Sequence, residues 1–444
     1  MSFKQLLLYV LGGFLSMNTY AQSPSESNNF PPNATLEQCV DFALKNRANI
    51  NIAQLDEEIA EKDIAAGLSG WLPSVNMSTN YNHNIKIPTS IIGGQVIALG
   101  SKNVSGLTFQ ADQQILNAQL IQATKAAKFS RELYKKNTEN TEINTVVEVS
   151  KAFYDILISN EQLGIIEANI LRIDKQLSDA SSRFEVGLVD QTDVKRAKIS
   201  KANSLADKKR TLEMLKYKYA YLKELIGLNQ EDNLTLSFEE EDLETKILVD
   251  TAEGLNVTQR VEYQILETQK KLQLLQTKFN KVSYIPTMSA FINYGWDWRS
   301  EAIKDLYDIT VPRSVFGLNF SFNIFDGNKK LQNLRKSRLL ETRLDWEMVA
   351  LKNTINTQYQ FAISAYQANV NDWMTAKENL QMSQDVYDVI QLQYNAGVKN
   401  YLELMTSDTD LKTAQINYLN SLYSVLSSKL DVEQALGNIN TNQQ

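Results

Sequence analysis

The chain is written twice. Arg183-Phe184-Glu185-Val186-Gly187-Leu188 recurs 210 residues later as Gln393-Tyr394-Asn395-Ala396-Gly397-Val398, and the register holds without a gap to Leu225-Ile226-Gly227 and Ala435-Leu436-Gly437. Gly70-Trp71-Leu72-Pro73 pairs with Ser283-Tyr284-Ile285-Pro286 at an offset of 213, and Gly106-Leu107 pairs with Gly317-Leu318. Each half must therefore fold on one plan. A helix (about 35–70 and 256–283) runs to a proline, which ends it. Two alternating segments follow, then a very long helix (about 117–182 and 327–394), a glycine turn and a last helix (191–226 and 401–436). This gives a first repeat over 22–227 and a second over 256–437, with an acidic linker (228–255) between them and a tail over 438–444. The linker's Glu239-Glu240-Glu241-Asp242 reads as solvated surface.

The alternating segments constrain function most. Strands are expected over about 74–84, 105–115, 287–298 and 314–325. In the first, Val75, Met77, Thr79, Tyr81 and His83 oppose Ser74, Asn76, Ser78, Asn80, Asn82 and Asn84. In the third, Met288, Ala290, Ile292, Tyr294, Trp296 and Trp298 share one face. In the fourth, Phe316, Leu318, Phe320, Phe322 and Ile324 oppose Gly317, Asn319, Ser321 and Asn323. Each is about ten residues, the length of a tilted membrane strand. The polar face suits a wet lumen, and Tyr294, Trp296 and Trp298 suit an interfacial aromatic girdle. A soluble, half-buried sheet remains the alternative. Four strands cannot close a barrel, and an open edge in lipid leaves backbone groups unsatisfied. If these strands span a membrane, several chains must share one barrel.

The long helices would each extend about 100 Å. Their apolar residues recur at coiled-coil spacing: Leu205, Leu212, Leu215, Tyr219, Leu222 and Ile226 in one, Leu404, Leu411, Tyr418, Leu422 and Val425 in the other. A second seam, Leu419, Leu426 and Leu430, suits a wall packed on both sides.

With 17 Gly and 7 Pro in 444 residues, long uninterrupted elements are expected. The net charge of −7 excludes nucleic acid as a natural partner. Cys39 and His83 are each the sole residue of their type. Neither a disulfide, a zinc-type metal site nor a His-based catalytic unit is expected from them, so no cofactor and no enzyme activity are anticipated. Lys4, the apolar run Leu6–Leu15 and Thr19-Tyr20-Ala21 read as a signal peptide over 1–21, too short to span a membrane.

Taken in order, several motifs resemble the TolC family of outer-membrane efflux proteins over essentially the whole mature chain. Thr35-Leu36-Glu37-Gln38-Cys39-Val40-Asp41-Phe42-Ala43-Leu44 is similar to the family's first helix start. Trp71-Leu72-Pro73-Ser74 and Tyr284-Ile285-Pro286-Thr287 resemble its helix-to-strand junctions, and Ile324-Phe325-Asp326-Gly327 its strand-to-helix junction. Arg183-Phe184-Glu185-Val186-Gly187-Leu188-Val189 resembles its helix tip. The resemblance implies a mixed α and β membrane protein: a homotrimer with a shared 12-stranded transmembrane β-barrel, four strands per chain, and a periplasmic α-barrel of long coiled-coil helices. It implies lipid against Tyr294, Trp296, Trp298, Phe316, Leu318, Phe320 and Phe322. It implies that a periplasmic adaptor docks at Val186, Gly187, Leu188, Ala396, Gly397 and Val398, and that the gate lies at Thr192, Asp193, Tyr394, Lys399 and Glu403. An Asp193–Lys399 salt link follows by position. Of the family's two aspartate rings, one position is Glu403 and the other is Thr406, which departs from the pattern.

The expectation is thus a passive outer-membrane exit duct of a tripartite efflux or type I secretion system, working with an inner-membrane pump of RND, ABC or similar type. A periplasmic coiled-coil scaffold without a pore is the alternative; it keeps the helices and reads the strands as a soluble layer.

Overall fold

The structure is a computed structural model that describes residues 30–31, 33–237, 244, 247 and 254–441. The expected signal peptide and the acidic run Glu239–Asp242 lie outside the described residues.

A short strand β1 (Asn33–Ala34) leads into α1 (Leu36–Asn46) and α2 (Ala48–Leu68). Thr35 starts α1 through a capping box: it accepts from Gln38 N, and the Gln38 side chain accepts from Thr35 N. After α2 come β2 (Ser74–His83), β3 (Thr89–Ile92), β4 (Gln95–Ala98), β5 (Asn103–Leu116), α3 (Ala118–Glu185) and α4 (Gln191–Ile226). A two-residue strand β6 (Thr235–Leu236) pairs in parallel with β1. The second half runs α5 (Val261–Val282), β7 (Thr287–Ser300), β8 (Val311–Ser321), α6 (Lys329–Asn395) and α7 (Tyr401–Leu436). The two long helices hold 68 and 67 residues.

Two expectations are corrected. The helix expected over 35–70 is two helices, because Arg47 leaves helical geometry (φ −62°, ψ 131°) to send its guanidinium to Thr145 and Glu148 on α3. The strand expected over 314–325 ends at Ser321, so Phe322 lies beyond it. Its pairing partner β7 begins at Thr287, opposite Ser321, and offers nothing further to bond. The β3–β4 hairpin was not expected; Gly93 and Gly94, both at positive φ, form its turn.

The four long strands form one antiparallel sheet in the order β2–β5–β7–β8. Its register brings the apolar positions together. Met77 faces Phe109, which faces Tyr294; Val75 faces Ala111, Ile292 and then Phe316. Leu107 meets Trp296, and Met288 meets Phe320. One side is thus apolar across all four strands. The other carries Asn80, Gly106 and Asp297 in one row and Asn76, Gln110 and Asn293 in another. Val104, Val311, Val315 and Phe291 are the apolar residues there. The Phe291 ring covers Gly317, where a Cβ would collide with it.

The main hydrophobic core lies in the helical half. Cys39, Val40 and Ala43 of α1 pack with Phe153, Ile156 and Leu157 of α3, Leu222 and Ile226 of α4, and Val425 and Leu426 of α7. Leu215, Leu222, Ile226, Leu404, Leu411, Leu422 and Val425 of the expected seams are buried, whereas Leu205 and Leu212 are exposed in a single chain. The seam toward the tip of α4 is therefore not covered within the chain.

Candidate functional site

Two regions concentrate the features that function must use: the sheet and the two helix tips. In the sheet, Phe316, Leu318 and Phe320 are 70%, 61% and 66% exposed, and Tyr294 is 47% exposed. Such a run of large apolar side chains on one face, with nothing of the chain over it, marks a surface that meets another apolar phase. Tyr294 and Trp296 stack edge to face at 5.0 Å, and Trp298 packs in the same way on Tyr307 at 5.4 Å. The Trp298 indole N–H donates to Thr310. These aromatics gather at the end of β7 away from the helices. His83 ends β2 and shares the Asn103 side-chain oxygen with the Tyr81 hydroxyl. The sheet's free edges are β2 and β8, of 10 and 11 residues.

At the first tip, α3 ends in a left-handed glycine: Gly187 has φ +76°, its N–H bonds Phe184 O, and Leu188 N–H bonds Arg183 O at 2.8 Å. Asp190 then caps α4 by accepting from Thr192 N. At the second tip Gly397 has φ +78°, and Val398 N–H bonds Gln393 O at 2.9 Å. Asn400 caps α7 with Glu403 in a reciprocal box. A Cβ at either glycine would meet nothing within 4 Å, so glycine is required by the backbone angle and not by space. Val186, Leu188 and Val398 are 70%, 74% and 73% exposed. Ala396 lies exposed beside them.

The gate residues do not meet as expected. Lys399 pairs with Glu403 at 2.6 Å, one turn along the same helix end, and among the described residues no ion pair joins it to Asp193. A four-residue spacing on one element is a shorter reach than the crossing to α4. Lys399 and the Asn400 N–H hold the Glu403 carboxyl below its ordinary range. Tyr394 is buried with Tyr401 and Leu404 in a second small core, its ring 4.6 Å from the Arg183 guanidinium. Neither tyrosine hydroxyl has a hydrogen-bond partner, so Tyr394 does not bond Thr192 or Asp193. Burial pushes both phenols up, Tyr401 to about 12. Thr406, the departure from the family's second carboxylate, is exposed and bonds back to Leu402 O.

The connection between the hairpins lies deeper. Asp408 of α7 is buried, pairs with Arg172 Nε at 2.8 Å and accepts from Asn169 Nδ2 at 3.0 Å, both on α3. Ser204 of α4 donates to Asn169 Oδ1 at 3.0 Å, and the Arg172 guanidinium stands 5.7 Å from the Tyr387 ring of α6. One buried cluster thus ties all four long helices. Its signal in the sequence was Asp408 itself, a charge placed between Leu404 and Leu411 on an otherwise apolar seam.

Among the described residues no grouping of His, Cys, Asp and Glu could hold a metal ion, and no helix is long and apolar enough to cross a membrane.

Comparison with known proteins agrees with this architecture. A family model described as outer membrane efflux protein matches residues 39–228 and 266–438. The outer membrane protein TolC of Escherichia coli is 20% identical over 456 residues, covering 98% of this chain and 87% of that protein. Among solved structures, the transmembrane channel CusC superposes with a TM-score of 0.76 at 14% identity, over 95% of this chain and 96% of that one. The open state of the MtrE outer membrane channel of Neisseria gonorrhoeae gives 0.73 at 15% identity, over 92% and 90%.

Proposed function

The chain belongs to the outer membrane efflux protein family, and from that premise we infer how its parts serve an exit duct. The protein is an outer-membrane duct through which an efflux system discharges cargo, with its helical part in the periplasm. Its work is conduction. The observation that carries the reading is the register of the sheet, which unites the apolar residues of four strands into one continuous face and leaves two free edges of matching length.

Three copies complete the barrel in this reading. β8 of one chain pairs with β2 of the next, giving twelve strands and no edge in lipid. The row of Asn, Gln, Asp and Gly then lines a wet lumen, while Phe316, Leu318 and Phe320 face lipid. The exposed Leu205 and Leu212 of α4 meet a neighbouring chain. The tips at Val186–Leu188 and Ala396–Val398 offer small exposed apolar knobs to the helical hairpins of a periplasmic adaptor, which links the duct to an inner-membrane pump. Three Glu403 carboxylates near the second tips draw cations to the entrance. Opening there parts the α3–α4 hairpin from the α6–α7 hairpin, so it must strain or break the Asp408 cluster.

The test is direct. The mature protein should fractionate with outer membranes, migrate as a trimer in mild detergent and conduct ions in planar bilayers. A monomer that stays in aqueous solution would sink the reading.

A further inference from the structure

The β3–β4 hairpin has no place in the barrel. It is a separate two-stranded sheet, and among the described strands no other pairs with it. It ends an arm that prolongs the β2–β5 pair: Asn84 N–H bonds Lys102 O, and Leu99 N–H bonds Pro88 O, each at 2.7 Å. From Ile87 to Ser101 the arm carries no charge, while Lys86 and Lys102 flank it. Aliphatic side chains occupy both faces. Ile91 and Val96 pair on one, at 74% and 71% exposure, and Ile92 and Ile97 lie on the other. An isolated hairpin is marginally stable at best in water. Uncharged free edges, with only Pro88 just ahead of β3, are also a template for further pairing. The arm is therefore built to be covered.

We propose that it is covered by its own copies: three hairpins, one from each chain of the trimer, meet over the barrel axis and form an apolar lid on the outer mouth. This rests on the trimer reading above. The position supports a second copy as occupant. The arm emerges directly from β2, the free edge at which a neighbouring chain must join, so it stands at the seam between copies. The reach also fits. Twelve strands about 4.8 Å apart and tilted about 40° enclose a barrel of roughly 12 Å radius. Four residues of β-strand rise about 13 Å, so the hairpin alone spans from rim to axis. The chemistry fits as well, since like-charged residues would repel at a threefold meeting point and the arm has none there. Cargo leaving the duct must part this lid, which makes the outer mouth a second barrier in series with the tips.

The native chain favours a thiol test. Cys39 is fully buried, with its thiol pushed up to about 12, and stays silent toward maleimides. Val96→Cys in the full-length protein, reconstituted in lipid, is treated with a short bis-maleimide. The lid predicts dimers linked through the introduced thiol on a denaturing gel, from most of the protein. Replacing Thr89–Ala98 by Gly-Gly, or placing Asp at Val96, should raise single-channel conductance at least twofold. A trimer whose introduced thiol labels freely with a water-soluble maleimide but does not cross-link overturns the lid and leaves the trimer standing. So does a trimer in which that thiol is shielded by lipid and does not cross-link. A protein that forms no trimer overturns both.

Discussion

Arg47 and Arg260 adopt the same backbone, φ near −62° and ψ near 130°, at places 213 residues apart, and each starts a helix without a side-chain cap. Both sit against a left-handed glycine that ends the last helix of the same half, Gly227 for Arg47 and Gly437 for Arg260. The second arginine also reaches the carbonyl of Ala435. The two halves thus share a joint, but not equally tightly. A Cβ on Gly227 would run into the Asn46 carbonyl, whereas at Gly437 the nearest atom is 3.5 Å away. Alanine at either pays about 1–2 kcal/mol for the left-handed backbone. Gly227→Ala should cost clearly more than Gly437→Ala in thermal unfolding, and equal losses would show that the Asn46 contact relaxes freely.

Asp408→Asn should leave the half-buried Arg172 without its counter-charge, with a destabilisation of about 1–3 kcal/mol. The double variant Arg172→Met, Asp408→Leu should recover most of that stability. It should still lower the free energy of parting the hairpins, seen as a higher resting conductance than wild type. A double variant that is stable and conducts like wild type would remove the cluster from the gate.

Glu403 gives a pH prediction. Its carboxyl is held low by Lys399, so its charge is present above the ordinary carboxylate range and is lost only as pH falls through that depressed value. Cation preference at the entrance should therefore persist below pH 4.5, the ordinary value, and Lys399→Ala should make it fade at higher pH. Glu403→Gln should abolish the preference at all pH values. Reversal-potential measurements in asymmetric salt read all three.

The two faces of the sheet should tolerate charge differently. Leu318→Arg places a guanidinium on the apolar face and should cost about 2–4 kcal/mol near the bilayer midplane. Asn319→Arg, one residue on and facing the other way, should cost little. The yield of assembled trimer in outer membranes checks the pair, and comparable yields would argue against lipid on that face.

How much of this was written in the sequence depends on the kind of signal. The long helices were legible because Gly and Pro are scarce: between 118 and 226 there is no Pro and only Gly164 and Gly187, and between 329 and 436 only Gly397. The strand faces were legible because a period of two leaves no freedom once one residue is placed: if Phe316 faces lipid, so must Leu318 and Phe320. The interruption at Arg47 was not, since no Gly or Pro marks it and its cause is a tertiary contact with Thr145 and Glu148 on α3. The hairpin at Ile91-Ile92-Gly93-Gly94-Gln95-Val96 did carry a two-glycine turn signal, but its strands are only four residues each. The Lys399–Glu403 pair was not legible, because position along the chain cannot say that Glu403, one turn away, takes Lys399 within the chain.

The central seam of the sheet sets a timetable. Asn103 pairs with Ser300, so β5 must wait for β7 while the whole α3–α4 hairpin is synthesised between them. Contacts so distant along the chain are slow to form. The helical half can consolidate around α1 and α3 while β5 still lacks β7, and in the trimer proposed above the last pairings need two other molecules to arrive. Assembly should then be a concentration-dependent event of seconds or longer, and the nascent chain must cross the periplasm with its membrane-facing surface unsheltered. If the helices fold first, an escort in the periplasm would have to recognise the strands.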